Sequence, residues 1–169
     1  PRLLRLGKVF KYLNRFKYWR KKISYIELDK LPKTIPVFPL DGVLLLPGGR
    51  LPLNIFEPRY IQMVKDALGT SDRMIVMTQP LNDGKNPNEI YNLGCAGKII
   101  SFEETSDQRF LISLLGLMRC NLINDVSEGK GYKRMNVDFQ NYLNDIKQNN
   151  ESIKRDAFLK SLKPYFELK

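Results

Sequence analysis

Apolar residues recur at two spacings along this chain, and the change from one to the other divides it into elements. Thr34-Ile35-Pro36-Val37-Phe38 predicts a short strand, with the proline suited to a strand start or edge. Asp41-Gly42 and Pro47-Gly48-Gly49 bracket the apolar run Val43–Leu46 as turn signals, and Arg50–Phe56 predicts a second strand. The period then lengthens. Tyr60, Met63, Val64, Ala67 and Leu68 fall on one face of a helix that Pro58 opens and Gly69 closes, with Glu57 as its cap. Met74–Met77 predicts a buried strand, and Gln79–Asn92, with Pro80, Gly84 and Pro87, a loop. Strands are expected over Cys95–Phe102, Phe110–Leu117, Arg119–Ile123 and Tyr132–Phe139, with Gly116 marking a bulge or sharp bend. After Asn149-Asn150 a last helix is expected, with Ile153, Ala157, Phe158, Leu162, Tyr165 and Phe166 on its apolar face. A lone helix covers such a face only in part. The expectation is therefore either self-association through residues 153–166 or a helical lobe cut short.

Charge changes the picture at one end only. The 169 residues carry a net charge of +10, but residues 1–30 hold ten Lys/Arg against two Asp/Glu, while the rest is nearly balanced. In the arm, Leu6, Val9, Phe10, Leu13 and Phe16 fall on one helical side, and Arg5, Lys17 and Arg20 intrude on it. Three readings of the arm stay open. It packs on its own body through Phe10, Tyr12, Phe16 and Trp19; or it contacts nucleic acid or an anionic membrane through Arg5, Lys8, Lys11, Arg15 and Lys22; or it is a targeting segment or cloning remnant. The second reading predicts salt-sensitive binding.

Candidate chemistry is sparse. The chain has no histidine, which removes the commonest general base and metal ligand together. No phosphate-binding loop and no nucleophile elbow occur, so no catalytic residue, metal or cofactor is expected. Cys95 and Cys120 each sit in an apolar stretch and are expected as buried, reduced thiols in a cytoplasmic setting. Glu103-Glu104 is a solvated hairpin end, because neighbours on a strand point to opposite faces.

The run Ile35-Pro-Val-Phe-Pro-Leu-Asp-Gly-Val-Leu-Leu-Leu-Pro-Gly-Gly, followed by Leu53-Asn-Ile-Phe-Glu-Pro-Arg-Tyr60, resembles the amino-terminal substrate-binding domain of Lon proteases. Gly94-Cys-Ala-Gly-Lys-Ile-Ile and Leu111–Cys120, with its Gly-x-x-Arg pattern, extend the resemblance over about residues 33–140. It implies an α+β domain: a PUA-like twisted β pseudo-barrel with one inserted helix over residues 31–140, then a truncated helical lobe from 141 to 169, preceded by the arm 1–30. It also implies a non-catalytic module for unfolded, extended or degron-bearing polypeptide, of the kind found as small stand-alone bacterial proteins. On that reading the peptide-contacting candidates are Phe38, Pro39, Leu40, Asn54, Phe56, Glu57, Arg59, Tyr60 and Arg119, each with a structural role to weigh against it. For Phe38, Leu40, Phe56 and Tyr60 that role is core packing. For Arg59 and Arg119 it is pairing with carboxylates that lock the barrel. An edge strand beginning at Thr34, or the loop Gln79–Asn92, is expected to present the client surface.

Overall fold

A computed structural model describes residues 31–81 and 89–146. Six strands and one α-helix follow each other in the order β1 (Thr34–Pro39), β2 (Arg50–Ile55), α1 (Pro58–Leu68), β3 (Met74–Thr78), β4 (Leu93–Glu104), β5 (Phe110–Asp125) and β6 (Lys133–Asp138). A 3-10 turn, Gln140–Asp145, follows β6. The architecture is mostly β. The sheet runs β2-β5-β4-β3-β1-β6, and an added β5–β6 pairing bends it round into a nearly closed ring. The amino-terminal arm, the helix expected after Asn150 and the self-association expected through it lie outside the described residues.

The long strand β5 makes closure possible. Its first half pairs with β2, from Phe110–Ile55 to Leu115–Arg50, and its second half pairs with β6 from Asn121 to Asp125, while β4 lies along its other side. Two separate strands were expected here, with a break at Met118. The strand instead runs on through a bulge. Ala96 faces Met118 and Gly97 faces Gly116, so Leu117 is the extra residue. Such a bulge lets one strand turn from one neighbour to the next, which is the role expected of Gly116. That glycine also takes in the turn before β2: Gly48 N donates to Gly116 O (2.8 Å), and Gly116 N donates to Gly49 O (2.9 Å).

β3 is buried at every position because both of its faces are covered. Ile75 and Met77 pack with Phe38, Tyr60, Met63, Val64 and Phe110 on the side that carries α1. Met74 and Val76 pack with Ile35, Val37, Met118 and Cys120 on the other, where the 3-10 turn adds Tyr142 and Leu143. The inward residues of α1 are Tyr60, Met63, Val64 and Ala67, as its spacing predicts. Glu57 stands at the N-cap position but makes no side-chain cap; its carboxylate accepts from Arg59 Nε at 2.9 Å instead.

The surroundings of β1 correct one expectation. β1 is not an edge strand: Thr34–Val37 pair with β6 and Val37–Pro39 with β3. Val137 N donates to Lys33 O, and bonded positions alternate along an antiparallel ladder. The backbone of Pro36 therefore faces away from β6, toward a side where the β3 pairing has not yet begun. A proline fits there without deleting a ladder bond.

Candidate functional site

Four elements meet around a cleft of about 490 Å³. Pro39, at the end of β1, and Tyr60, in the first turn of α1, contribute to its lining. Pro80 and Ile90, which face each other across a short bridge at the base of the 79–92 loop, close another side. Tyr132 and the turn between β5 and β6 complete it, with Lys130, Lys133 and Asp125 among the lining residues. Arg59 and Glu89 also line the cleft, so both signs of charge surround rings and prolines.

Each wall is held by local chemistry. Arg59 pairs with Glu57 at 2.9 Å and lies 4.5 Å from the centre of the Tyr60 ring. The Tyr60 ring packs against Phe38 with centroids 4.4 Å apart. Burial raises the Tyr60 phenol, while the Arg59 charge pulls the other way. Across the cleft, Lys130 Nζ donates to Asp66 at 2.6 Å, and the Tyr132 hydroxyl donates to the same carboxylate. These donors, Lys130 first, hold the Asp66 carboxyl down at about 2. They tie the β5–β6 turn to the far half of α1. Lys133 reaches Asp125 at 3.3 Å.

The sequence-derived candidates do not gather at one place. Pro39, Arg59 and Tyr60 line the cleft, and Phe38 is buried behind Tyr60. Leu40 is partly buried against the same core. Phe38 and Tyr60 are thus core residues, while Phe56 is 61% exposed and is not. Asn54 is exposed on β2, and Glu57 follows Phe56 at the start of α1. Arg119 lies elsewhere, on β5. Its guanidinium donates twice to Asp145, at 2.9 and 2.7 Å, its backbone N–H donates to the same carboxylate, and it covers the Tyr142 ring. Arg119 thus pairs with a carboxylate as expected, but the pair fixes the 3-10 turn against β5 and does not join two strands of the ring. Arg59 joins no strands either: its carboxylate partner is two residues away and both side chains are about half exposed. Tyr132, Lys130 and Lys133 were not among the sequence-derived site candidates, although Tyr132 and Lys133 fall in a strand expected from the sequence. Their only signal as a site was the Ser127-Glu128-Gly129 turn, whose position in space depends on the β5–β6 register.

Burial pushes both cysteine thiols up to about 12, so each stays protonated at neutral pH and is a poor nucleophile. Among the described residues no group of three or more acidic or cysteine side chains is placed to hold a metal ion. No helix among them is long and apolar enough to cross a membrane.

Comparison with known proteins places the fold in a family. The ATP-dependent protease La (LON) substrate-binding domain family matches residues 34–167. Lon protease 2 of Myxococcus xanthus is 26% identical over 115 residues, which are 67% of this chain and 14% of that protein. The chain thus spans about a seventh of the length of that relative. Among solved structures, the Lon N-terminal domain protein from Xanthomonas campestris superposes with a TM-score of 0.51 at 24% identity, over 64% of this chain and 60% of that one. The N-terminal domain of the Mycobacterium avium complex Lon protease gives 0.55 at 14% identity, over 80% and 71%. With the family match covering most of its length and the ring of strands shared with these domains, the chain belongs to the Lon substrate-binding domain family.

Proposed function

We propose that this domain binds extended segments of unfolded or degron-bearing polypeptide without cleaving them, and that the cleft beside Tyr60 is part of the contact surface. The observation that carries the reading is the cleft's composition. Pro39 and Pro80, both partly exposed, offer rigid apolar contact over a floor made by the buried Tyr60 and Tyr132, and Arg59, Lys130, Lys133, Asp125 and Glu89 offer charge of either sign. Such a lining tolerates many sequences. The membership of a substrate-binding family supports the same conclusion. The chemistry of the described residues supports the non-catalytic part, with both thiols protonated and the Asp66 carboxylate already held by Lys130 and Tyr132.

Ordering a flexible client consumes much of the contact energy, so the affinity is micromolar or weaker, about −8 kcal/mol at best. The test is a titration of the full chain with one protein in two forms, native and permanently unfolded by reduction and alkylation. Binding is expected for the unfolded form alone, and Arg59→Ala weakens it several-fold while lowering the melting temperature only slightly, because its pair with Glu57 is open to solvent. Equal binding to both forms, or to neither at high protein concentration, removes the proposal.

A further inference from the structure

The strand β2 stands at the end of the strand order, and its ladder is to β5. Among the described residues no strand pairs with its other edge. The register shows which backbone groups that edge presents. Gly116 is a bonded position, exchanging hydrogen bonds with Gly48 and Gly49. Bonded positions recur at every second residue of an antiparallel ladder, so Leu51, Leu53 and Ile55 turn their backbone groups toward Leu114, Ile112 and Phe110. The backbone groups of Arg50, Pro52 and Asn54 therefore face away from β5. Pro52 falls where a missing N–H deletes no ladder bond.

The two faces of β2 differ. Leu51 and Leu53 point to the core but are only partly buried, with Ile55 fully buried beside them. Arg50, Pro52 and Asn54 are exposed on the opposite face. Phe56, just past the strand, is exposed.

We infer that the outer edge of β2 takes up an extended polypeptide segment as an added strand. Apolar side chains at alternate client positions cover Leu51 and Leu53, and the polar positions between them face Arg50 and Asn54. This rests on the polypeptide-binding reading and adds a contact outside the cleft, whose lining holds no residue of β2. Main-chain pairing gives affinity that most sequences share, and the half-covered leucines select for apolar residues at every second position. Arg50 is the one charged residue of β2, so a client carboxylate on the polar face is favoured. A second copy of the chain is the poorer occupant. A two-fold pair of β2 edges centred on Pro52 lacks the proline donor from both strands, whereas a client strand meets that gap on one side only.

The full chain, labelled with nitrogen-15, tests this with a synthetic peptide alternating valine and threonine and carrying one glutamate. Saturating peptide is expected to slow hydrogen exchange at the amides of Arg50 and Asn54, which face away from β5 and meet no strand among the described residues. Asn54→Pro, which removes one outward donor, weakens binding about fivefold to tenfold. Asn54→Ala keeps the donor and binds like the parent. If the peptide binds while both amides exchange as before, strand addition is wrong and polypeptide binding stands. Failure of this peptide and of an unfolded protein to bind at all overturns both readings. Amides already protected without peptide show that another part of the chain holds the edge, which also overturns the inference.

Discussion

Gly116→Ala probes the junction on which β2 depends. A Cβ at this position lies 2.1 Å from the Leu46 carbonyl oxygen and 3.2 Å from Leu45 Cγ. The first neighbour is backbone and cannot swing aside, so the turn before β2 must retreat by about 1 Å to restore van der Waals contact. That retreat stretches the two hydrogen bonds joining Gly116 to Gly48 and Gly49, worth about 0.5–1.5 kcal/mol each. It also begins to uncover Leu45, which is 3% exposed and whose full burial is worth about 1.5–3 kcal/mol. The combined loss is about 2–4 kcal/mol. Urea unfolding followed by far-ultraviolet circular dichroism measures it, and a midpoint lower by more than about 1 M is expected. Gly42→Ala is the control. Gly42 has a φ of +68° and nothing within 4 Å of its added Cβ, so only backbone strain acts there, about 1 kcal/mol. If Gly116→Ala unfolds within 0.5 kcal/mol of the parent (roughly the error of such measurements), or no more easily than Gly42→Ala, the close approach of the turn to β5 is not a structural constraint.

Three further outcomes follow from the same geometry. Cys95 and Cys120 are buried and their thiols are pushed up to about 12, so in the native protein neither reacts with a thiol-specific chromogenic disulfide at pH 8, and both do in denaturant; rapid native labelling contradicts their burial. Asp66 has its pKa lowered from 3.8 to about 2, so its contribution is fully present above about pH 4 and is lost as pH falls toward 2. Asp66 is partly exposed, so the effect is about 1 kcal/mol or less, and Asp66→Asn should flatten the acid limb of stability between those values when read by chemical unfolding. Arg119→Ala removes both side-chain bonds to Asp145, whose side chain is only 10% exposed, so it lowers the melting temperature more than Arg59→Ala, which breaks a pair open to solvent; equal shifts would mean that the 3-10 turn is held by its apolar residues alone.

Local pattern carried the elements well and their neighbours poorly. The helix was legible because Pro58, the spacing of Tyr60, Met63, Val64 and Ala67, and Gly69 all agree. β3 was legible as an unbroken apolar run. β5 was divided in two at Met118, although Gly116 was read as a bulge or bend within its first part; the bulge at Leu117 carries the strand through. The edge was assigned to β1 because Pro36 suggested it. Yet Pro52 signals the same thing in β2, and only the pairing of β1 with both β3 and β6 separates the two. The cleft was half legible: Pro39, Arg59 and Tyr60 lie close together in sequence, while Tyr132 and Lys130 arrive from some seventy residues away through the β5–β6 register. A resemblance carried by short motifs marked the family, but the same motifs mix core residues such as Phe38 with exposed ones such as Phe56.

The β1–β6 pairing also bears on how the chain is made. Thr34 Oγ1 donates to Asn136 Oδ1 at 2.6 Å across 102 residues of sequence. During synthesis, β1 leaves the ribosome long before β6, and Ile35 and Met135 cannot meet until β6 has cleared the exit tunnel. Until then the edge of Thr34–Val37 that faces β6 has no partner on the nascent chain and is open to any passing extended segment. A domain that we read as a receptor for unfolded polypeptide therefore passes through a stage at which its own first strand needs the same protection, and a slow stretch of translation just before β6 prolongs that stage.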